Sequence, residues 1–280
     1  MDEKTLLLTF DVEEFDLPRD LSGSIPEADA YTLAHEGATR LLDLCEERGL
    51  RVTCFVTGSF GERFPETIGA LARVGCEIAC HGPTHAGLNG RGPEAEHVER
   101  LSAARRGLEL IAGRPVIGYR SPRFEPVRRE VLERAGFAYD SSVHPTWVPG
   151  RYNNLARNRA PERKGGIVEV PVSVTPVFRL PLSWIWFRNY PDFLVRLLAR
   201  WSLAADGLLC LYFHGWELAD LERVRRRYNL PRAVTRATGA ALAGRLSGWL
   251  DSLRARGVRL DTMGGYVAYR FGAAGRTEAV

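Results

Sequence analysis

Lysine is almost missing from this sequence. Lys4 and Lys164 are the only two, so the 38 basic residues are nearly all arginine, and against 34 acidic ones they leave a formal net charge of +4 in 280 residues. That imbalance is small for a chain that binds nucleic acid, and neither zinc-finger spacing nor an aromatic RNP-type strand is present. Long apolar runs are missing too: the longest, 180–187, is closed by Arg179 and Arg188, whereas a transmembrane helix needs about 20 such residues. The N-terminus lacks the positively charged region and the small-residue cleavage site of a signal peptide. The five cysteines (Cys45, Cys54, Cys76, Cys80, Cys210) are odd in number and lack framework spacing, which predicts reduced thiols and a cytoplasmic location. The densest basic run, Arg223, Arg225, Arg226 and Arg227 with Arg232 and Arg236 beyond it, reads first as a solvated face and second as an attraction for an anionic partner.

What is present is an ordinary globular composition, 45% hydrophobic and 26% charged. A single domain of this length buries roughly three quarters of its extended surface, so it needs no metal to fold, and a metal here would serve chemistry. Strand-like runs at 6–10, 52–56, 77–80, 116–119, 138–141, 167–174, 208–213 and 258–262 alternate with helical patterns at 28–48, 94–111, 126–135, 190–205 and 233–254. Such alternation predicts an α/β protein with parallel strands and helical crossovers. Eight candidate strands favour a (β/α) barrel with one irregular repeat over an open sheet, and no dinucleotide-binding or P-loop glycine pattern follows the first strand. One catalytic domain is expected over 1–270, with a frayed tail over 271–280. The segments 142–165 and 217–231 are long enough to be functional loops.

Three polar clusters end strands, where a barrel of this kind gathers its site. Asp11 and Glu13 are two apart after an apolar strand, so both point to one side while Val12 points to the other; taken alone, such acids also suit a helix N-terminus. His81 and His85 flank a Gly-Pro turn at a spacing that lets two neutral imidazoles bind one divalent ion. Cys76 and Cys80 offer a rival zinc set with His81, but their apolar strand argues for packing. His214 ends the third strand in Leu-Tyr-Phe-His214-Gly-Trp-Glu217. A lone histidine there is ordinary; three such strand ends together offer metal ligands, a base and an acid.

The segments Thr-Phe-Asp11-Val-Glu13, His81-Gly-Pro-Thr-His85, Gly-Tyr-Arg120-Ser-Pro122-Arg-Phe, Tyr-Asp140-Ser-Ser and Leu-Tyr-Phe-His214 occur in the order of five motifs of the polysaccharide deacetylase (NodB-homology, carbohydrate esterase family 4-like) family. The chain resembles that family over nearly its whole length. The resemblance implies a distorted (β/α)7 barrel that removes N-acetyl groups from amino sugars with one divalent metal, zinc first, with cobalt, nickel or iron as alternatives. It implies Asp11 as general base, His81 and His85 as metal ligands and a carboxylate just after Asp11 as the third. His214 maps to the general acid, Arg120 to the residue that orients the base, and Asp140 to a tuner of the acid histidine. The backbone N–H of Arg123 maps to the oxyanion hole, and Trp147 and Trp216 are the expected substrate contacts. Many members carry two adjacent aspartates where this chain has Asp-Val-Glu, which makes Glu13 the natural third ligand and Glu14 its alternative.

The expected substrate is an N-acetylated amino sugar in cell-envelope polysaccharide synthesis, whether polymeric, lipid-linked or nucleotide-linked. The aromatic stretch 178–190, flanked by arginine, reads either as core packing or as an apolar collar near the site that rests on a membrane surface, at the inner face, or grips a lipid-linked sugar. The alternatives are a deformylase or other amidase on the same barrel, and a catalytically silent carbohydrate-binding homologue. The oligomeric state is left open.

Overall fold

The two faces of the first strand set the architecture. The structure, a computed structural model, describes residues 3–88 and 92–272. In it β1 (Thr5–Val12) sends Leu6, Leu8, Phe10 and Val12 into a core shared with the surrounding helices, and Leu7 into a second, inner core. Phe55, Ala79, Tyr139, Val168, Leu208 and Cys210 join Leu7 there, so the strands that carry them must curl around a common axis.

Four strands follow β1 in chain order, each parallel to the one before: β2 (Thr53–Val56), β3 (Glu77–Cys80), β4 (Gly118–Tyr119) and β5 (Tyr139–Asp140). The chain then leaves the sheet for the hairpin of β6 (Trp147–Val148) and β7 (Tyr152–Asn153), and returns through β8 (Glu162–Lys164) and β9 (Ile167–Glu169). β9 runs parallel to β5 and antiparallel to β8. On the other side of β1 lies β10 (Leu208–His214), parallel to it, and β11 (Arg259–Asp261) pairs with the first part of β1. The resulting order is β10-β1-β2-β3-β4-β5-β9-β8. The parallel staves β1 to β5, β9 and β10 form the expected distorted barrel.

Its irregular repeat is the seam between β9 and β10. No ladder joins them; instead Ser173 N–H donates to the Cys210 carbonyl at 2.8 Å, and Cys210 N–H donates to Ser173 Oγ at 2.8 Å. The strand read over 167–174 ends at Glu169 because Pro171 has no N–H to offer a neighbour. The helix read over 233–254 is broken into Arg232–Thr235 and Ala240–Arg254, with Ala237 and Gly239 in left-handed conformations. The break brings Gly239 N–H to the Glu217 carbonyl at 2.9 Å. Short helices over Gly58–Arg63, Pro65–Arg73 and Trp184–Asn189 were not legible as patterns, and neither was Met263–Phe271, which closes the base of the barrel. There Met263 N–H donates to Thr53 Oγ1 and Gly264 N–H to the Glu77 carboxylate. The tail expected over 271–280 lies, beyond Gly272, outside the described residues.

All five cysteines are free and buried. Cys76 and Cys80 pack in the outer core, on the face opposite His81, so the rival zinc set does not form. Among the described residues no helix is long and apolar enough to cross a membrane.

Two glycines make the packing possible. At Gly118 an added Cβ would lie 2.0 Å from the Tyr139 ring, which occupies the space beside it in the barrel. At Gly37, in the helix Glu27–Arg48, it would lie 2.3 Å from the Gly215 carbonyl. This helix therefore rests directly on the backbone of the turn after His214. Gly37→Ala is expected to destabilise the protein by about 1–3 kcal/mol, the usual range for an overpacked site. Chemical denaturation measures that loss, and a wild-type midpoint would show that the turn has room to move.

Candidate metal and catalytic centre

At the C-terminal ends of the staves the inward positions turn polar. Asp11 ends the inward row of β1, His81 follows β3, Arg120 follows β4 and His214 ends β10. Strand alternation thus aims them at one mouth, and Asp11, Glu13, His81, His85 and His214 line a single pocket there.

Glu13, His81 and His85 are buried and form the one His, Cys, Asp or Glu cluster among the described residues whose ligand atoms could share an ion. Glu13 Oε2 lies 3.0 Å from Nε2 of His81 and 3.0 Å from Nε2 of His85. The far nitrogens are already engaged: His81 Nδ1 faces the Arg120 carbonyl at 2.9 Å, and His85 Nδ1 faces Asp16 Oδ1 at 2.7 Å. A carbonyl only accepts, so His81 carries its proton on Nδ1 and turns an Nε2 lone pair toward a carboxylate oxygen that itself has no hydrogen-bond partner. Lone pairs aimed at one another across 3 Å in a dry site call for a cation between them. Two imidazoles with oriented second nitrogens and one carboxylate are a donor set that suits a divalent transition metal. The same groups also pair with one another electrostatically. Burial alone would raise the Glu13 carboxyl, but His85, His81 and His214 around it hold it well below the usual carboxylate range. Burial alone would lower His85, yet Glu13 and Asp16 push it up to about 10.

Glu14, the alternative ligand, turns away from this cluster. It accepts the His85 backbone N–H at 3.2 Å and the Thr57 hydroxyl at 3.4 Å, so it fixes the histidine turn instead.

Beside the cluster, Arg120 Nη1 donates to Asp11 Oδ1 at 2.7 Å and to Thr9 Oγ1 at 2.8 Å, while Nε and Nη2 bind the carbonyl and hydroxyl of Ser141. Its guanidinium also lies 4.1 Å over the Phe55 ring. The side chain is wholly buried, as an orienting residue for Asp11 has to be.

His214 stacks on Trp216 at 4.4 Å, and its Nε2 is 3.8 Å from Glu13 Oε1. Trp216 lines the pocket and donates from Nε1 to Glu13 Oε1 at 3.4 Å. Asp140 is not beside His214. It follows inward-facing Tyr139 and so turns outward, where it accepts the N–H and hydroxyl of Ser142. The carboxylate within reach of His214 Nδ1 is Glu217 Oε1, at 3.3 Å. Trp147 also departs from expectation: it is 58% exposed on the β6–β7 hairpin and is not part of the pocket lining. The hairpin contributes Val148, Arg151 and Tyr152 instead.

Arg123 and Phe124 stand at the pocket wall in left-handed backbone conformations, as does Trp184 across from them. Non-glycine residues held so are strained and cluster at functional sites. The Arg123 side chain does more than the sequence suggested: it pairs with Asp16 and Asp20 and donates to the His85 carbonyl. Arg151 reaches Asp20 at 3.0 Å, tying the hairpin to the loop after β1. Asp16, Asp20 and Tyr152 went unassigned in the sequence because each stands outside a motif, Tyr212 because its motif was read for His214 alone, and Trp184 and Trp186 because they were read only as part of the aromatic stretch. In the aromatic stretch 178–190, Trp184 and Trp186 line the pocket while Leu182 and Phe187 pack in the core.

Residues 1–139 match the family model of polysaccharide deacetylases. The matched span takes in Asp11, Glu13, His81, His85 and Arg120 and stops short of His214. No protein of curated function matches the sequence. Among solved structures the fold is similar to that of a probable polysaccharide deacetylase from Pseudomonas aeruginosa PAO1, at 15% identity and TM-score 0.66 over 96% of this chain and 92% of that one. It is similar to PuuE allantoinase at 16% identity and TM-score 0.65, over 96% and 91%. It is also similar to BA3943, a CE4 family pseudoenzyme from Bacillus anthracis, at 11% identity and TM-score 0.53, over 94% of this chain and 64% of that one. At these identities the structures share a fold with this chain, and nothing finer is carried over from them.

Two outcomes are expected from this geometry. Asp16→Asn, which weakens the partner of His85 Nδ1, should lower zinc affinity about 10- to 100-fold in a chelator competition; unchanged affinity would mean that Asp16 does not orient a ligand. His144 is buried against Tyr152, and burial with the nearby Arg120 charge holds its imidazole down at about 3. The unfolded chain takes up that proton near pH 6.5, so stability should fall as pH drops from about 6.5 toward 3. His144→Gln should flatten that part of the pH–stability curve, and an unaltered slope would assign it to other groups.

Proposed function

By its first 139 residues this chain belongs with the polysaccharide deacetylases, and on that premise we propose that it is a metal-dependent hydrolase that removes the N-acetyl group of an amino sugar. The observation that carries the reading is the meeting of the Glu13, His81 and His85 cluster with Asp11 and His214 in one pocket. Glu13 Oε2 and the Nε2 atoms of His81 and His85 would hold the ion. A bound divalent metal supplies Lewis acidity toward an acyl oxygen and lowers the pKa of water.

The remaining work falls to side chains in place. Arg120 occupies Asp11 Oδ1, which leaves Oδ2 to take a proton from the attacking water. The Arg123 backbone N–H, at the pocket wall, is our candidate donor to the developing oxyanion; one such donor contributes about 3–4 kcal/mol. His214 Nε2 delivers a proton to the departing amine, without which expulsion is slow. Trp184, Trp186, Trp216 and Tyr152 give the pocket flat apolar walls with polar edges, suited to a sugar ring.

We infer further that the sugar is linked to a lipid or a nucleotide and is met in the cytoplasm at the membrane face. Support comes from Phe178 and Phe193, about 70% exposed, the first followed in the chain by Arg179. A second reading, hydrolysis of a non-sugar amide, draws on the similarity to an allantoinase. A third is loss of turnover, as in the pseudoenzyme relative, against which stands the complete set of base, ligands and acid.

Acetate release from zinc-loaded protein on chitooligosaccharide, nucleotide-linked and polyprenyl-linked N-acetyl sugars tests the reading. One class should respond. Asp11→Asn should lose at least about 100-fold in kcat, in the range of general-base loss, with zinc retained; His81→Ala should lose both zinc and activity. Formate or another acid in place of acetate would favour the second reading, and a fully active Asp11→Asn would remove the base assignment.

A further inference from the structure

We propose that Glu217 is the positioning residue of His214, with Arg188 holding Glu217 in place. The inference rests on the hydrolysis proposed above and assigns a role that no motif covers. His214 Nδ1 lies 3.3 Å from Glu217 Oε1, and the same oxygen accepts the His214 backbone N–H at 2.8 Å. The other oxygen, Oε2, accepts Arg188 Nε at 2.6 Å. Neither the Glu217 nor the Arg188 side chain has any solvent exposure.

The pair is itself held from behind. Arg188 Nη1 donates to the Arg236 carbonyl, and Arg245 donates to the carbonyls of Arg188 and Tyr190. Gly239 N–H binds the Glu217 carbonyl at 2.9 Å. The helix break at Ala237 and Gly239 therefore lines up two carbonyl and amide groups behind the Arg188–Glu217 pair.

A buried ion pair stabilises a fold little more than apolar packing would, so its value here lies in what it orients. A carboxylate at Nδ1 fixes the proton there in the neutral imidazole and directs Nε2 into the pocket. Once Nε2 also carries a proton, the same carboxylate balances the imidazolium. Arg188 keeps Glu217 ionised although the carboxylate is fully buried. Asp140, which the family pattern would have given this task, is turned onto Ser142; Glu217 reaches His214 from three residues further along the chain.

The test separates leaving groups. Amine expulsion needs a proton from His214, whereas 4-nitrophenolate leaves without one. Glu217→Gln keeps the shape and removes the charge. Its kcat on an N-acetyl sugar should fall about 10²- to 10⁴-fold, the range for losing a general acid, with KM, zinc content and turnover of 4-nitrophenyl acetate held near wild type. In a His214→Ala background the same change should add no further loss. Equal slowing of both substrates, or no slowing of either, overturns the inference. Failure of the wild type to release acetate from any amide, while it turns over the aryl ester, overturns the parent reading and this inference with it. If Glu217→Gln does not fold, the ¹⁵N histidine spectrum of the zinc-loaded wild type decides, assigned with His214→Ala: neutral His214 protonated at Nδ1 is expected, and protonation at Nε2 overturns the assignment.

Discussion

A single buried cation organises the mouth of this barrel. Arg120 lies at its centre with no exposed surface and binds three strands besides its own: Thr9 and Asp11 on β1, Ser141 after β5, and the Phe55 ring on β2. Withdrawing a guanidinium from water costs several kcal/mol unless its donors are satisfied, and here four bonds and a ring face satisfy it. Its backbone takes part as well, since the Arg120 carbonyl fixes His81 Nδ1. One residue thus sets the orientation of Asp11 and of His81, and it draws together the strands that carry them.

The rest of the centre is built in the same way, each reactive group fixed by a neighbour that does not react. Asp16 holds His85, Arg123 holds Asp16 and the His85 carbonyl, and Glu14 holds the His85 backbone. Arg151 carries the network onto the hairpin through Asp20. The Arg123–Asp16–His85 chain fixes the histidine ring through hydrogen-bond partners.

Much of this was legible in the sequence, for physical reasons. Alternation along 6–13 places Asp11 and Glu13 on one side, and the structure puts both in the pocket. Strand ends hold the chemistry of a parallel barrel, which singled out His81, His85 and His214 before any contact was known. Reading failed where a side chain's direction depends on a neighbouring strand's register. Asp140 carried a motif, yet β5 presents Tyr139 inward and so turns Asp140 out. Glu217 stood in the quoted third cluster without a role, because its partner Arg188 is 29 residues away in sequence. Trp147 was expected from its place after the Asp140 motif, but the hairpin that carries it presents Tyr152 to the pocket. Gly37 could not be read at all, since its value lies in the backbone of a turn on another element.

The unladdered seam between β9 and β10 divides labour along the chain. Asp11, Glu13, His81, His85 and Arg120 all come before it, on or beside the run from β1 to β5. His214, Trp184, Trp186, Tyr212 and Trp216 come after it, on segments joined to the first run by the long ladder of β10 on β1 and by the close contact of Gly37 with the turn after His214. The family match, which ends at residue 139, falls wholly on the first side of this seam. Kinship measured there speaks for the cluster of Glu13, His81 and His85 and is silent about the aromatic wall that faces it.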